Sequence, residues 1–432
     1  MILTNNLTVN EQGHLAVGGA DTVELAERFG TPLYVMDEAM IRKACRQFKQ
    51  SIDTYYGGRG LPHYASKAFC CKEMCRIIAD EGLGLDVVSM GELYTAMSVG
   101  FPAQDIGFHG NNKTEEELRY ALECGVGHII VDNLTELDTL NALAGEMGKN
   151  ARIMFRVKPG IEAHTHEFIM TGQIDSKFGL ALENGEAMEA VKRALSMEHV
   201  TLGGLHCHIG SQIFDIDPFV MAADVMLHFI ADIKAQTGYA VEELNLGGGF
   251  GIKYTQEENP VEYDQYMRKV SDKVKADCQA LGIDQPFIVI EPGRSIAGPA
   301  GLTLYRVGSV KEIPGVRTYV SIDGGMTDNP RYALYQSRYE AVCAHKADAP
   351  RDQIITLAGK CCESGDLIGK DMPLQKTEPG DVVAVLATGA YNYSMASNYN
   401  RAAKPAVVMV KDGEARLIVK RETPEDLIRN DL

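Results

Sequence analysis

Residues 61–100 read LPHYASKAFCCKEMCRIIADEGLGLDVVSMGELYTAMSVG, and this stretch decides the fold. It contains one pattern twice. A short apolar run (LPHYASKAF, then LDVVS) precedes a longer run with helical spacing (KEMCRIIADEG, then MGELYTAMSVG). Alternation of strand and helix predicts βαβ units, which place their strands in a parallel sheet.

The alternation extends from about residue 60 to residue 295. It contains eight strands, and a helix clearly follows all but the last; Thr114 and Glu117 form a capping box at one helix start. Eight units in this length predict a (β/α)₈ barrel, which typically takes about 250 residues. A doubly wound open sheet is the alternative, but it normally has a glycine-rich phosphate turn after its first strand, and none is present.

Beyond residue 300 the pattern changes to strand-like runs separated by turn residues such as Asp412-Gly413. This predicts an antiparallel β domain, either a sandwich or a barrel. The N-terminal runs ILTNNLTV and HLAVGG are also strand-like. The predicted organisation is therefore N-terminal strands (1–30) that pack on the β domain, a barrel (31–295) and the C-terminal β domain (296–432).

Composition limits the function classes. The chain has 432 residues, and its 42 basic and 59 acidic side chains give a net charge of −17, which disfavours a nucleic-acid binder. We find no apolar run of membrane-spanning length and no signal peptide, and therefore expect no membrane partner. Ten cysteines, including the adjacent pairs Cys70-Cys71 and Cys361-Cys362, fit a reducing compartment better than a disulfide framework. We expect a cytoplasmic location.

Reactive groups of a (β/α)₈ barrel lie at the C-terminal ends of its strands. Four predicted strand ends carry them: Ser66-Lys67, His206 to Ser211, Gly247 to Gly251, and Glu291 to Arg294. A lysine at such an end loses hydration, which lowers its pKa and favours the amine that forms a Schiff base. The glycines can approach a phosphate with their backbone N–H groups, and Ser211 can add a hydroxyl.

Two further features complete this set. Glu291 precedes a proline, and a carboxylate held there can keep a pyridine nitrogen protonated, which makes pyridoxal phosphate an electron sink. Arg294 has the chemistry of a bidentate anion clamp. These candidates have structural alternatives. Lys67 could be a surface lysine, the glycine run could be a flexible turn, and Glu291 and Arg294 could form an ion pair. His206 and His208 could also be read as a zinc pair, although no third imidazole or carboxylate is evident.

The motifs YASKAF, HCHIGSQ, LGGGFG, EPGR, CESGD and GAY occur in that order over nearly the whole chain. This set resembles the diaminopimelate decarboxylase family, which belongs to the alanine-racemase-like, fold type III pyridoxal-phosphate decarboxylases. The resemblance implies a lyase with pyridoxal phosphate as cofactor. It also implies a homodimer whose active sites lie at the subunit interface.

The resemblance also implies residue roles. Lys67 would bind the cofactor covalently, and His208 would stack on its ring. Cofactor contacts are implied for Ser211, Gly247, Gly248, Gly249, Glu291, Gly293, Arg294 and Tyr391. Substrate contacts are implied for Arg294, Arg331, Tyr335, Glu363 and Tyr391. Cys362 would be the proton donor, contributed by the other subunit. We predict no metal.

The implied reaction is conversion of meso-2,6-diaminopimelate to L-lysine and CO₂, the last step of lysine biosynthesis. The substrate assignment depends on Glu363 for a distal amine and on Arg331 and Tyr335 for a carboxylate. Alternatives are a related decarboxylase for ornithine, arginine or carboxynorspermidine, a racemase, a zinc hydrolase, and a non-catalytic regulatory homologue. The chain departs from many relatives at Phe69-Cys70-Cys71, where they have asparagine after Lys-Ala, and at the extra Cys361.

Overall fold

A computed structural model describes residues 4–161 and 176–432. By contacts the chain divides into two compact units. The barrel unit comprises Ala44–Gly251 and Pro260–Gly293, and the β unit comprises Met1–Lys43, Ile252–Asn259 and Arg294–Leu432. The first two residues of the predicted strand ILTNNLTV lie outside the described residues.

The N-terminal part of the chain contains a small three-stranded sheet, a further strand and two helices. Their bounds are β1 Leu7–Val9, β2 Leu15–Val17, β3 Ala20–Asp21, α1 Thr22–Phe29, β4 Leu33–Asp37 and α2 Glu38–Tyr56. The Asp21 carboxylate caps α1 by accepting the backbone N–H groups of Val23 and Glu24.

Eight parallel strands form the closed barrel. They are β5 Gly60–Ala65, β6 Gly84–Val87, β7 Ile106–Phe108, β8 His128–Val131, β9 Ala151–Lys158, β11 Val200–His206, β12 Glu243–Asn245 and β13 Phe287–Ile290. The barrel closes because β13 pairs with β5 and β8 pairs with β9, and a short strand, β10 (Leu180–Ala181), adds to β9. The predicted barrel is thereby confirmed, and the open sheet is wrong.

The barrel helices are α3 Lys72–Asp80, α4 Met90–Met97, α5 Glu115–Cys124, α6 Leu134–Glu146, α7 Glu186–Ala194, α8 Asp217–Thr237 and α9 Tyr263–Leu281. The predicted capping box at Thr114 and Glu117 is present at the start of α5. Among the described residues, no helix combines the length and the apolar composition needed to cross a bilayer.

The β unit continues after residue 293 with these elements: α10 Arg294–Ala297, β14 Gly301–Ile313, β15 Arg317–Ile322, α11 Arg331–Tyr335, β16 Ala341–Cys343, β17 Gln353–Ala358, β18 Leu367–Leu374, β19 Val382–Val385, β20 Ala406–Lys411, β21 Glu414–Val419 and α12 Pro424–Ile428. The main sheet has the order β18-β17-β15-β14-β4-β20-β21, and β19 pairs with both β14 and β16. Most pairs are antiparallel, as predicted, whereas β15–β17 and β4–β20 are parallel.

The compact units do not end at the predicted domain boundaries of residues 30 and 295. Leu33–Asp37 pairs with β14 and β20, so backbone hydrogen bonds tie this strand to the β unit. The division into 1–30, 31–295 and 296–432 remains a prediction. The β unit has its own apolar core, in which Val35, Leu304, Val385 and Val408 are fully buried.

Candidate active site

The predicted site residues divide between the two units. The barrel unit carries Lys67, His208, Ser211, Gly247, Gly248, Gly249, Glu291 and Gly293, and the β unit carries Arg294, Arg331, Tyr335, Cys362, Glu363 and Tyr391. In the barrel unit these residues follow β5, β11, β12 and β13, at the carboxyl ends of the strands.

Lys67 lies in a single turn, Ser66–Ala68, that directly follows β5. Its two neighbours in this turn are buried, whereas the side chain of Lys67 is exposed, so the expected loss of hydration is not met. The Ser66 hydroxyl donates to the Glu92 carboxylate over 2.7 Å. Burial raises the pKa of Glu92, and the positive charge of Lys67 opposes that shift. The lysine amine is thus reachable by a ligand and anchored through its buried neighbour.

Glu291 is buried, and one of its oxygens takes three nitrogen contacts within the barrel unit. Asn245 Nδ2 donates to Oε1 over 2.7 Å, and Nε2 of His206 and of His109 lie 3.1 and 3.2 Å from the same atom. Burial acts to raise the pKa of this carboxyl, but His206 and His109 hold it well below its usual range. The result is an ionised carboxylate with one oxygen fixed, which leaves Oε2 for a ligand.

His206 and His208 do not act as a pair. The strand ends at His206, which is buried against Glu291, and His208 lies two residues beyond it. Burial lowers the pKa of His208 well below its ordinary value, and the charges of Lys67 and Arg156 lower it further. His208 therefore presents a neutral, flat imidazole, which suits stacking on an aromatic ring better than ion pairing.

His109 supplies the third imidazole that the sequence reading lacked. Together with His206 and Glu291 it places three possible metal-ligand atoms within 4.8 Å of one another. However, the Glu291 oxygen nearest both imidazoles already accepts the Asn245 amide. This arrangement holds a carboxylate in place by one amide donor and two close imidazole nitrogens, as a partner for a protonated ring nitrogen requires.

The glycine run after β12 fits an anion cradle. A Cβ on Gly248 would lie 2.1 Å from the Glu291 carbonyl oxygen, and one on Gly247 would lie 2.5 Å from the Cys207 carbonyl oxygen, so side chains are excluded. The N–H of Gly247 donates to Asn245 Oδ1 over 2.9 Å. The amides of Gly248 and Gly249 make no hydrogen bond to any residue that the structure describes. These two are the better candidates for binding phosphate.

Gly293 is required by close packing. A Cβ there would lie 3.0 Å from Ala65 Cβ and 3.1 Å from the Ala65 carbonyl oxygen. The backbone N–H of Ala65 also donates to the Pro292 carbonyl over 3.2 Å. The segment after Glu291 is therefore fixed directly against the strand that leads to Lys67.

In the β unit, two buried guanidinium groups lie among tyrosines. Arg294 Nη1 donates to the Tyr254 hydroxyl over 2.5 Å, and its Cζ lies 4.6 Å from the Tyr391 ring centroid. Arg331 Nη1 donates to the Tyr339 hydroxyl over 2.7 Å, and its Cζ lies 4.7 Å from the Tyr254 ring centroid. Burial acts to lower the pKa of Arg331, but the surrounding tyrosines raise it, so this group stays charged. Aromatic faces hold the cations in place, as a clamp for a carboxylate requires.

The two adjacent cysteines in the loop between β17 and β18 have different surroundings. Asp366 accepts the backbone N–H of Cys361 over 2.7 Å, and burial together with Asp366 raises the pKa of the Cys361 thiol to about 11. Cys362 and Glu363 are exposed, and the Cys362 N–H donates to Asn400 Oδ1 over 2.8 Å. Cys361 is thus engaged inside its own unit, and Cys362 faces outward.

The two predicted tyrosines occupy defined positions in the β unit. Tyr335 ends the one-turn helix α11 that begins with Arg331, and its side chain is half-buried. Tyr391 adopts a left-handed backbone conformation with φ of +64°, which is unusual for a side chain of this size. Such a position is kept where the surrounding structure requires it, as at a binding site.

Several residues of these clusters were missed by the sequence reading: His109, Asn245, Tyr254 and Tyr339. His109 could have been found, because it follows β7 and the strand-end rule that selected Glu291 applies to it equally. Tyr254 and Tyr339, the partners of the arginines, could not have been found, because their positions depend on long-range pairing in the β unit.

Comparisons with known proteins identify the family of this chain. The sequence model of the family described as "Pyridoxal-dependent decarboxylase, pyridoxal binding domain" matches residues 38–298. The chain is 51% identical over 432 residues to a diaminopimelate decarboxylase of Bacillus subtilis, covering 100% of this chain and 98% of that protein. It is 52% identical over 414 residues to that of Bacillus methanolicus, covering 96% of each.

Solved structures show the same similarity. The diaminopimelate decarboxylase of M. jannaschii in complex with L-lysine superposes with a TM-score of 0.92 at 37% identity, covering 100% of this chain and 99% of that one. The Helicobacter pylori enzyme with L-lysine gives 0.85 at 31% identity, covering 94% and 98%. The predicted pyridoxal phosphate cofactor and the fold type III architecture are confirmed. The chain belongs to the diaminopimelate decarboxylases, a family of pyridoxal-dependent decarboxylases.

Proposed function

We propose that this chain catalyses the decarboxylation of meso-2,6-diaminopimelate to L-lysine and CO₂ and so performs the last step of lysine biosynthesis. The observation that carries the proposal is the Glu291 carboxylate, ionised and fixed through one oxygen by Asn245, His206 and His109. A carboxylate favours the protonated ring of pyridoxal phosphate, whereas a racemase on this fold would place an arginine there.

The residues of the barrel unit suit the cofactor. Lys67 would attach it through its exposed amine. His208 would stack on its ring, and Ser211 with Gly247, Gly248 and Gly249 would hold its phosphate. Glu291 would pair with its ring nitrogen, and Gly293 allows the close packing beside Lys67. Bound pyridoxal phosphate supplies an electron sink for the pair left on Cα when CO₂ departs.

The β unit recognises the part of the substrate that is kept. Arg294, Arg331 and Tyr335 bind the remaining carboxylate, for which two buried and charged guanidinium groups are suited. Glu363 would take the distal ammonium, and Tyr391 would contact both cofactor and substrate. Cys362 then donates the proton of its Sγ to the substrate carbon that has lost CO₂, which completes lysine.

We propose further that the protein is a cytoplasmic homodimer in which Cys362 serves the active site of the other subunit. Its exposure in the single chain is compatible with this assignment, because an exposed thiol is open to contact by a second subunit. Mixing inactive Lys67→Ala and Cys362→Ala subunits tests it. Each mixed dimer contains one intact site, so about a quarter of the wild-type rate should return. No recovery after verified subunit exchange would refute it.

Measured CO₂ release from meso-diaminopimelate tests the main proposal, with added pyridoxal phosphate and with cofactor omitted. Ornithine and arginine are the matched control substrates, because they carry a distal cationic group without a carboxylate. We expect turnover of meso-diaminopimelate alone, with lysine as product. Faster turnover of ornithine or arginine would assign a different substrate, and no turnover of any of the three would favour the regulatory alternative.

A further inference from the structure

Glu291 belongs to a group of five buried side chains inside the barrel. His206 and His109 contact Glu291, and Nε2 of His109 also lies 3.4 Å from Oδ1 of Asp86. His63 Nδ1 lies 3.1 Å from that same Asp86 oxygen. All five side chains are buried. One ring nitrogen of His109 is therefore shared between two carboxylates.

Barrel topology explains this meeting. His63 lies on β5 and Asp86 on β6, while His109 follows β7 and Glu291 follows β13. The strand order β13-β5-β6-β7 makes each of these strands a neighbour of the next. Gly107 contributes by its lack of a side chain, since a Cβ there would lie 3.3 Å from Asp86 Oδ1 and 3.5 Å from His109 Nε2.

Two carboxylates at this depth require compensation. Asp86 and Glu291 would repel each other in a medium of low dielectric constant, and an uncompensated buried charge is costly. His109 lies at the point where a single positive charge stabilises both. Burial acts against its protonation, but Glu291 and Asp86 outweigh burial and raise the pKa of His109 to about 9.

We infer that His109 is a positioning residue for the cofactor ring nitrogen, because its imidazolium between Asp86 and Glu291 keeps the Glu291 carboxylate ionised and correctly oriented. This inference rests on the proposed function, since it assigns Glu291 to that nitrogen. His109 acts through Glu291. Asn245 and His206 contact the same oxygen, so removal of His109 loosens the carboxylate without releasing it.

Binding of two ligands to the apoenzyme tests the inference. One is pyridoxal phosphate, and the other is its carbocyclic analogue, in which C–H replaces the ring nitrogen. The two share the aldehyde and the phosphate, so only the first can use Glu291. We expect His109→Leu to weaken binding of pyridoxal phosphate about ten- to a hundredfold and binding of the analogue less than about twofold.

Two further variants identify the cause of the lost affinity. His109→Gln keeps an N–H donor without the charge, so it should recover part of the lost affinity. His128→Leu is the matched control, because His128 is a half-buried barrel histidine that contacts Glu243 over 3.2 Å at the start of β8. It should leave both affinities unchanged. If His109→Leu fails to fold, His109→Gln alone tests the inference, through the ratio of its affinities for pyridoxal phosphate and for the analogue.

Equal loss of affinity for both ligands would overturn the inference, because it would show a merely structural role. Unchanged affinity for both would also overturn it. Failure of the proposed function looks different: wild-type protein would then show no pyridoxyl adduct on Lys67 after borohydride reduction. If wild-type protein forms the adduct and prefers pyridoxal phosphate over the analogue, the proposed function stands. The ratio of the two affinities in His109→Leu then tests the role of His109 alone.

Discussion

The barrel unit and the β unit each bury a charged cluster, but the two clusters have opposite signs. In the barrel unit, imidazole and amide nitrogens surround the carboxylates of Asp86 and Glu291. In the β unit, tyrosine rings and hydroxyls surround the guanidinium groups of Arg294 and Arg331. Buried charges persist only with such partners. The first cluster suits a cationic part of a ligand, and the second suits an anionic part.

This contrast supports the proposal that the barrel unit performs the cofactor chemistry and the β unit selects the substrate. Substitutions in the barrel cluster should therefore change kcat or cofactor attachment. Substitution of Arg331 should change the KM for substrate while the cofactor remains bound. A variant that changed cofactor binding and the KM for substrate equally would contradict this division.

Lys67→Ala should have the largest effect. Loss of the amine removes the covalent attachment, so we expect turnover to fall by at least about 1,000-fold. CO₂ release measures the rate, and mass spectrometry after borohydride reduction measures the adduct. Lys72→Ala, on the following helix, is the control and should retain both. A pyridoxyl group found elsewhere than on residue 67 would contradict the assignment.

Glu291→Gln should lower kcat about 10²- to 10³-fold, because the neutral amide no longer favours a protonated ring nitrogen. Its side-chain oxygen can still accept the Asn245 amide, so the fold and the adduct on Lys67 should persist. Steady-state kinetics and adduct mass together check this expectation. Wild-type kcat in the variant would remove Glu291 from the chemistry.

Cys362→Ala and Cys361→Ala form a matched pair within one loop. We expect loss of Cys362 to slow lysine formation about 100-fold, since a positioned proton donor contributes roughly that much. Loss of Cys361 should change the rate less than about threefold, because its thiol is engaged with its own unit through Asp366. Lysine release measured by chromatography distinguishes them. The reverse ranking would transfer the donor role to Cys361.

Arg331→Gln should raise the KM for meso-diaminopimelate about ten- to a hundredfold through loss of a charged hydrogen-bond donor. The glutamine amide can still donate toward Tyr339, and cofactor affinity should stay at the wild-type value. Arg338→Gln is the control, since Arg338 is exposed and pairs with Glu257 over 2.8 Å. A change in cofactor affinity with unchanged KM would argue against a substrate role.

The smallest predicted effect is on pH-dependent stability. The pKa of His109 is raised from 6.5 to about 9, so its imidazolium stabilises the fold fully below pH 6.5, and that contribution is lost as pH rises through 9. Between these values the free energy of unfolding should fall more for wild type than for His109→Gln, by on the order of 1–3 kcal/mol. Urea unfolding of both apoproteins measures the difference. Parallel pH curves would contradict it.

The sequence predicted the fold well because its signals are local. The βα alternation from residue 60, the capping box at Thr114 and the turn at Asp412-Gly413 each depend on neighbouring residues. It did not place Leu33–Asp37, which reads as the start of the barrel but pairs with β14 and β20. Strand pairing across more than 250 residues leaves no local signal.

For the active site, the sequence alone determined which reactive side chains exist and, through the strand-end rule, that Lys67, His208 and Glu291 lie at one end of the barrel. Only the tertiary structure decided their electrostatic state. It made Lys67 exposed, gave Glu291 three nitrogen contacts, brought His109 next to Asp86, and gave Cys361 and Cys362 different surroundings. The reason is physical: burial and nearby charges set protonation and orientation, and both depend on residues distant in the chain.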